Sequence, residues 1–553
     1  MASEAYRRFE KRTAFAGYLR GVCGLKAGDR VAVQLPNSLT YPVVAFGIFK
    51  AGCVLVNTNP LYTPSEMVHQ FNDSGASVLV IVDMFTDKLA EVVPKTGIKR
   101  VVPAGVSEMF PAIPNMVMRG VQKVWSKTLP PVPTLAVPVE RLSSVLQAGR
   151  KALPSNGTAK AWWEHIPAGS VAALQCTGGT TGVRNGAMLS HSNLLANINQ
   201  VLAMGRSHMS AADGSEECVL TALPLYHVFA FTANLLTFFE IGARNIPVPS
   251  PRPVQNLQRA SENYPITWIT GVNTLFNGLM NEEWFSAFPP KHLKAAIAGG
   301  NALHSSVAAR WQAMTGTRVA EGYGLTESSP VITFNPMTGT VRPESIGIPV
   351  PGCEVCLVAD DDSLAAAGQP GELAVRGPQT MLGYWQRPED TAQVLKDGWL
   401  YTGDVAVMDE SGYFRIVDRK KDLVLVSGFN VYPNEIEEAL SKFDAIFEAA
   451  VVGIPDKRSG EAVRAYVVKN PEFQGELTKE MIIAHCKTLL TDYKIPKSIV
   501  FRDELPKSPI GKILRKDLKA EVKAEHPLES STRAKADQTL HQNAARQTTT
   551  SGT

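Results

Sequence analysis

Between residues 30 and 82 three β-branched runs, "RVAVQLPN", "GCVLVNTNP" and "SVLVIVD", are separated by "SLTYPVVAFGIFKAG" and "PSEMVHQFNDSG", whose apolar residues recur at helical spacing. Strands that alternate with amphipathic helices pair in parallel, because a parallel neighbour needs a crossover and a helix is what spans it. The chain is therefore read as α/β. At 553 residues it is long enough for more than one core. A large multi-sheet N-terminal domain is expected over residues 1–418 and a small α+β domain over 419–525, where "GYFRIVDRKKDLVLVSGFNVYPNEIEEALSKF" gives strand, charged turn, strand and helix, the helix with a capping box at Asn434 and Glu437. Residues 526–553 are polar, low in aromatics and read as a disordered tail. The proline-spotted stretches "VPAGVSEMFPAIPN" and "TLPPVPTLAVPVE" read as an irregular insertion before the strand "SVAALQC".

That strand delivers "TGGTTGVRNG", Thr177 to Gly186. Glycines bring backbone N–H groups close to an anion and threonine hydroxyls add donors, so the loop suits a polyphosphate. No register supplies the lysine and hydroxyl pair of an ordinary P-loop. After it, "SHSNLLANINQVLAMG" reads as a helix capped by Ser190 or Ser192. Net charge of only +3 gives no reason to expect nucleic acid. Seven thinly spread cysteines and a charged start, "MASEAYRRFEKR", point to a reduced, cytoplasmic protein. Residues 218 to 239 carry no charge over a length that spans a bilayer, but Pro224 and His227 interrupt the run and it reads as buried core. "CEVC", Cys353 to Cys356, lacks a second pair and alternates like a strand, against a zinc site.

Four further stretches join the loop: "PLYHVFA", "EGYGLTE", "DGWLYTGDVAVMDESGYFRIVDRKKD" and "LPKSPIGKILRK". In this order and spacing they resemble the adenylate-forming superfamily of acyl-CoA synthetases, luciferases and adenylation domains. "MLGYWQRPEDT" and "LVSGFNVYPNEIE" bring the resemblance nearest to bacterial long-chain fatty acyl-CoA synthetases. It implies an ATP-dependent long-chain fatty acid:CoA ligase that passes through an acyl-adenylate, with ATP, Mg²⁺ and coenzyme A, and a C-terminal domain that rotates between two half-reactions.

Residue by residue, the resemblance puts the phosphates of ATP on Thr177, Gly178, Gly179, Thr180, Thr181, Gly182, Arg184, Asn185 and Gly186. It gives Mg²⁺ to Thr177 and Glu327, and the phosphate or carboxylate to Thr326. Gly300 and Tyr323, with Glu321, Gly322 and Gly324, enclose adenine; Asp404 takes the ribose hydroxyls with Arg419 as partner. Lys512 reaches the α-phosphate and the substrate carboxylate, Lys421 stands at the hinge, and Gly428 lines the pantetheine entry. His227 sits at the neck and Phe231 at the gate of an acyl tunnel lined by "PLYHVFAFTANLLTFF" and "WITGVNTLFNGLM". Core packing explains His227 and Phe231 nearly as well.

Two departures stand out. Asn185 occupies the place of a lysine, and Arg184 beside it is a candidate substitute. The chain also begins late relative to the family, which implies an exposed sheet edge or apolar surface. Aryl, medium-chain and acyl-AMP ligases of the same superfamily, or a non-catalytic acyl-binding relative, are the alternatives. A fatty substrate implies peripheral contact with the inner membrane, and the oligomeric state stands open between monomer and homodimer.

Overall fold

A computed structural model describes residues 2–125, 128–154, 161–176, 185–209, 216–338, 342, 344–508 and 511–525. It is built on four sheets, each from a continuous stretch of chain. The first holds β1 (Arg30–Gln34), β2 (Val54–Asn57), β3 (Val78–Val82), β4 (Arg100–Ala104), β5 (Val171–Cys176) and β6 (Gly186–Ser190), in the order β4-β3-β1-β2-β5-β6. Only β6 is antiparallel. The β-branched runs are buried along their length because helices cover both faces. One of those helices, Pro64–Ser74, starts where Thr63 and Glu66 form a reciprocal capping box. At the edges, Val101 of β4 bridges Val139 and Ala187 of β6 bridges Tyr384.

The second sheet holds β7 (Cys218–Thr221), β8 (Arg244–Pro247), β9 (Trp268–Gly271), β10 (Ala295–Ala298), β11 (Val319–Gly324), β12 (Val331–Phe334) and β13 (Ile348–Pro349), in the order β13-β12-β11-β10-β9-β7-β8. β7 to β11 run parallel and β12 and β13 antiparallel. The third is antiparallel: β14 (Glu354–Val358), β15 (Gly371–Arg376), β16 (Leu395–Lys396), β17 (Trp399–Met408) and β18 (Phe414–Arg419). The fourth, β19 (Val424–Val426), β20 (Phe429–Val431), β21 (Ile446–Asp456), β22 (Gly460–Lys469) and β23 (Ser498–Arg502), has its own core around Val431, Ile436 and Val467. Only the turn between Arg419 and Val424 separates the last strand of the third sheet from the first of the fourth.

Several sequence expectations are corrected. The insertion is not irregular throughout, since Ala112–Gly120 is α-helical and the helix runs on through Val121–Trp125. Proline at 114 falls in the first turn, where a missing N–H costs nothing. The uncharged run divides into β7 and a buried helical stretch, Ala230–Leu236 continued by Thr237–Glu240. No helix among the described residues is long and apolar enough to cross a membrane. Ser190 caps His191–Gly205 through the backbone N–H of Asn193, as expected, whereas the box at Asn434 and Glu437 does not form. Tyr432 holds that N-cap position, and both Asn434 and Glu437 accept hydrogen bonds from Arg515 instead. Cys356 lies on β14, and all seven cysteines are free thiols. The tail from residue 526 lies outside the described residues.

Candidate active site

The carboxyl ends of the parallel strands in the first two sheets, together with β17, β18 and the C-terminal unit, enclose a cleft of ≈ 1860 Å³. Crevices at strand ends are where α/β sheets leave room for ligands. At the end of β10 the chain turns through Gly300 with φ +80°, a left-handed conformation that suits glycine. That loop is fastened to β11 by the Leu303 N–H, which donates to Glu321 Oε1 at 3.1 Å. Burial pushes the Glu321 carboxyl up to about 8. β11 then runs on through Gly322, Tyr323 and Gly324, all three lining the cleft. At Gly324 a Cβ would lie 1.9 Å from the Pro330 carbonyl oxygen, so the close pass of β11 against the next turn needs glycine.

Tyr323 donates its hydroxyl proton to Asp404 Oδ2 at 2.6 Å, and Arg419 Nε lies 3.2 Å from Asp404 Oδ1. The contact follows from register: Asp404 on β17 stands directly opposite Arg419 on β18. Asp404 is buried and Arg419 half-exposed toward the cleft, so the carboxylate is an acceptor for hydroxyl donors and the guanidinium beside it is a donor. Burial, the Asp404 charge and its hydrogen bond all push the Tyr323 phenol up, so it remains a donor.

Glu327, half-buried in the short turn Thr326–Ser328, accepts the Tyr384 hydroxyl at 2.7 Å. Burial raises its carboxyl, the response of an acid short of a compensating cation. The described residues contain no group of three or more His, Cys, Asp or Glu that could hold a metal by itself. As a single carboxylate facing the cleft, Glu327 fits a divalent ion that takes its remaining ligands from nucleotide phosphates, the usual arrangement for Mg²⁺. Thr326 also lines the cleft. Asn185 donates to Asp390 Oδ2 at 3.3 Å, and Gly186 opens β6, its carbonyl accepting from Trp385 N–H at 2.8 Å. Thr177, Gly178, Gly179, Thr180, Thr181, Gly182 and Arg184 lie outside the described residues.

Lys512 comes from the C-terminal unit. Its backbone N–H donates to Ser508 Oγ at 3.1 Å and its carbonyl accepts the Ser508 N–H at 2.7 Å, a closed turn that projects the ammonium into the cleft. Thr274 Oγ1 donates to the Gly511 carbonyl at 3.1 Å and Arg252 to the Ser508 carbonyl at 3.3 Å, docking the turn on the N-terminal part. Burial lowers Lys512 to about 8; Arg419 and Arg515 add to the effect while Asp404 and Asp422 oppose it. The same burial, with the Lys512 charge, holds His227 down at about 4, so its ring is neutral. His227 Nδ1 accepts the Phe229 N–H at 3.3 Å, which leaves Nε2 as the donor.

Lys421 also lines the cleft, in the turn after β18, and its carbonyl accepts from Lys519. Gly428 does not: it turns the β19–β20 hairpin at φ +82° with no atom within 4 Å of where a Cβ would point. Phe231 is fully buried and packed against Phe49 at 6.3 Å, while Phe229, two residues earlier, lines the cleft. From "WITGVNTLFNGLM" only Asn273 and Thr274 reach the cleft, because Phe276, Leu279 and Met280 pack into the second sheet's core. The apolar wall is made instead by Val201, Phe229, Ala233, Ile297, Val331 and Phe334.

Sequence reasoning assigned nothing to Tyr384, nor to the cluster around Arg515. Arg515 reaches Glu437 at 2.6 Å and fully buried Asp418 at 3.3 Å, and burial pushes the Asp418 carboxyl up to about 6. It is this cluster that ties β18 to the C-terminal unit.

The chain is similar to known proteins along most of its length. Residues 4–385 match the family model described as AMP-binding enzyme, and residues 435–512 the model described as AMP-binding enzyme C-terminal domain. The chain is 47% identical over 519 residues to a long-chain-fatty-acid–CoA ligase of Escherichia coli O157:H7, covering 94% of this chain and 90% of the relative. A long-chain-fatty-acid–CoA ligase of Bacillus subtilis strain 168 is 36% identical over 91% of this chain and 87% of its own length. The crystal structure of ATP-bound MatB from Rhodopseudomonas palustris superposes with a TM-score of 0.76 at 26% identity, covering 93% of this chain and 92% of that one. Matched by both models in order and by these relatives along most of its length, the chain belongs to the AMP-binding enzyme family of adenylate-forming enzymes.

Proposed function

We propose that the protein is an AMP-forming long-chain fatty acid:CoA ligase, ATP-dependent and working in two steps. In the first, a carboxylate oxygen bonds to the α-phosphorus of ATP as the bond to the bridging oxygen breaks, giving acyl-AMP and pyrophosphate. In the second, the thiol of coenzyme A adds to the acyl carbonyl, loses its proton and expels AMP. The observation that carries this reading is the meeting of Lys512 with Asp404, Arg419 and Glu327 in one cleft, with an apolar wall beside it. The identity to long-chain-fatty-acid–CoA ligases along most of the chain supports the acid's class.

Gly300 and Tyr323 flank the adenine place, Asp404 with Arg419 receives the ribose hydroxyls, and Lys512 neutralises charge that builds between carboxylate and α-phosphate. Mg²⁺, held by Glu327 and Thr177 when bound, supplies charge neutralisation at the phosphates. Thr326, Asn185 and Gly186, with Thr177, Gly178, Gly179, Thr180, Thr181, Gly182 and Arg184, are assigned to the phosphates. Neutral His227 orients the fatty carboxylate at the neck, not as an acid. The apolar wall takes the chain, where each buried methylene contributes about 0.8 kcal/mol. We divide the domains between residues 418 and 419, with Lys421 in the following turn as the hinge that frees the acyl-adenylate for the thiol at Gly428. Seven free thiols suit a cytoplasmic enzyme, and an amphiphilic substrate suits peripheral membrane contact.

The test is acid-dependent pyrophosphate exchange, with AMP release measured with and without coenzyme A across saturated acids of increasing length and aryl acids. Exchange and coenzyme-A-dependent AMP release that both rise toward long chains are expected. Preference for aryl or short acids, or turnover indifferent to coenzyme A, overturns the assignment.

A further inference from the structure

The helical segment from Ala112 to Trp125 is docked inside out. Its polar side chains recur at Asn115, Arg119 and Gln122, a helical spacing that makes one face, and two of these hold it to the body. Arg119 lies 2.8 Å from Asp83 Oδ2 and 3.5 Å from Glu108 Oε2, and Ser107 Oγ donates to Asn115 Oδ1 at 2.7 Å. On the opposite stripe stand Ile113, Met116, Val117, Val121 and Val124, exposed at 71%, 68%, 57%, 46% and 76%. No residue of Ala112–Gly120 is buried. Ordinary surface helices do the reverse, turning the apolar stripe to the core. A contiguous apolar face held outward by ion pairs marks a surface that something else covers.

Charge says what covers it. From Met109 to Val139 the sequence has no carboxylate and, with Arg119 paired to Asp83 and Glu108 on the docked face, its remaining cations are Lys123 and Lys127. Lys123 is exposed on this segment. An apolar stripe with cations and no acids matches the boundary of an anionic bilayer, into which such a helix lies flat. We propose that Ile113–Val124 is a membrane-docking face, which seats the enzyme on a lipid surface where its amphiphilic substrate is dissolved. The choice of lipid over a protein partner rests on the long-chain assignment above.

The test measures binding in the absence of ATP and coenzyme A, so that it fails independently of the catalytic assignment. The full chain is sedimented with phosphatidylethanolamine–phosphatidylglycerol vesicles, beside the variant Ile113→Gln/Val117→Gln/Val124→Gln. All three side chains are already solvent-exposed and glutamine is a good helix former, so thermal unfolding and activity on a short soluble acid should match the parent. The parent is expected to co-sediment and the variant to lose about tenfold or more in vesicle affinity. Lys123→Glu should weaken binding to these vesicles and leave binding to pure phosphatidylcholine unchanged. Absence of parent binding, or equal binding by parent and triple variant, overturns the proposal. So does a triple variant that turns a dimer into a monomer in sedimentation velocity while its vesicle binding stays intact, since the face would then belong to a second copy.

Discussion

Lys512 carries its charge into a cleft that already holds Arg419, and its acidity follows from that company. Burial and like charge bring it to about 8 in the free enzyme, while its ordinary value is 10.5. The protonated form is the one that neutralises phosphate, and it is lost as pH rises through about 8. The kcat/KM for ATP in pyrophosphate exchange, which reports the free enzyme, should therefore fall on an alkaline limb near 8. Lys512→Arg should move that limb out of range, and Lys512→Ala should cost about 10²-fold or more in exchange. A limb that persists unchanged in Lys512→Arg assigns it to another group. Lys512, Asp404 and Glu327 were singled out in the sequence because each carries a short motif of glycines and hydroxyls, Lys512 and Glu327 in turns and Asp404 on β17 just after Gly403. Tyr384 was not, although it bonds Glu327, because the two are 57 residues apart and only the fold brings them together. The same holds for Arg515 and Asp418, 97 residues apart.

The β19–β20 hairpin is the element whose place in the structure differs most from its assigned role. Ser427 and Gly428 both take positive φ, 52° and 82°, and the turn is exposed away from the cleft. If the C-terminal unit rotates about the turn after Arg419, this open hairpin is the surface that comes to line the thiol's path. Gly428→Leu should then leave acyl-adenylate formation near the parent rate and stop thioester release, read in separate single-turnover assays. Gly428→Ala shares the backbone penalty of about 1 kcal/mol without the bulk and should retain thioester release. Equal loss of both half-reactions in the leucine variant removes the role. Element types from β1 to β3 were readable because strand runs and helical runs alternate there without interruption. The helix at Ala112–Gly120 was missed because its apolar period points outward and prolines at 111 and 114 disguise its first turn. Phe231 and Phe229 lie on the same helical approach, and periodicity does not say which of two aromatics two residues apart faces a cavity.

At the scale of the whole molecule, the two parts are held together across the cleft by few polar contacts, and their balance sets how long Lys512 stays in place. Glu438 accepts from the Ser305 hydroxyl and lies 3.2 Å from His304 Nδ1, while Lys442 reaches Glu344 at 3.6 Å. Asn277 donates to the Phe447 carbonyl at 3.4 Å, and the Lys512 turn is bound by Thr274 and Arg252. None of this was visible in the sequence, since each contact joins residues 98 or more positions apart with no local motif between them. Burial works to raise the Glu438 carboxyl, but hydrogen bonds from His304 and Ser305 with the charges of His304 and Lys442 outweigh it and hold it at about 2. Because the docked value lies below the ordinary 4.5, the contact is intact above that pH and is lost only as pH falls toward about 2. Glu438→Ala removes an acceptor shared by two donors, about 1–3 kcal/mol against the docked state. Adenylation should slow by about tenfold, with proteolysis at Lys420 and Lys421 accelerated and the pH at which the alkaline limb falls unchanged. Thioester formation from supplied acyl-adenylate should be spared, because that step needs the lysine withdrawn. A variant slowed equally in both steps would mean that Glu438 stabilises the fold rather than the docked arrangement.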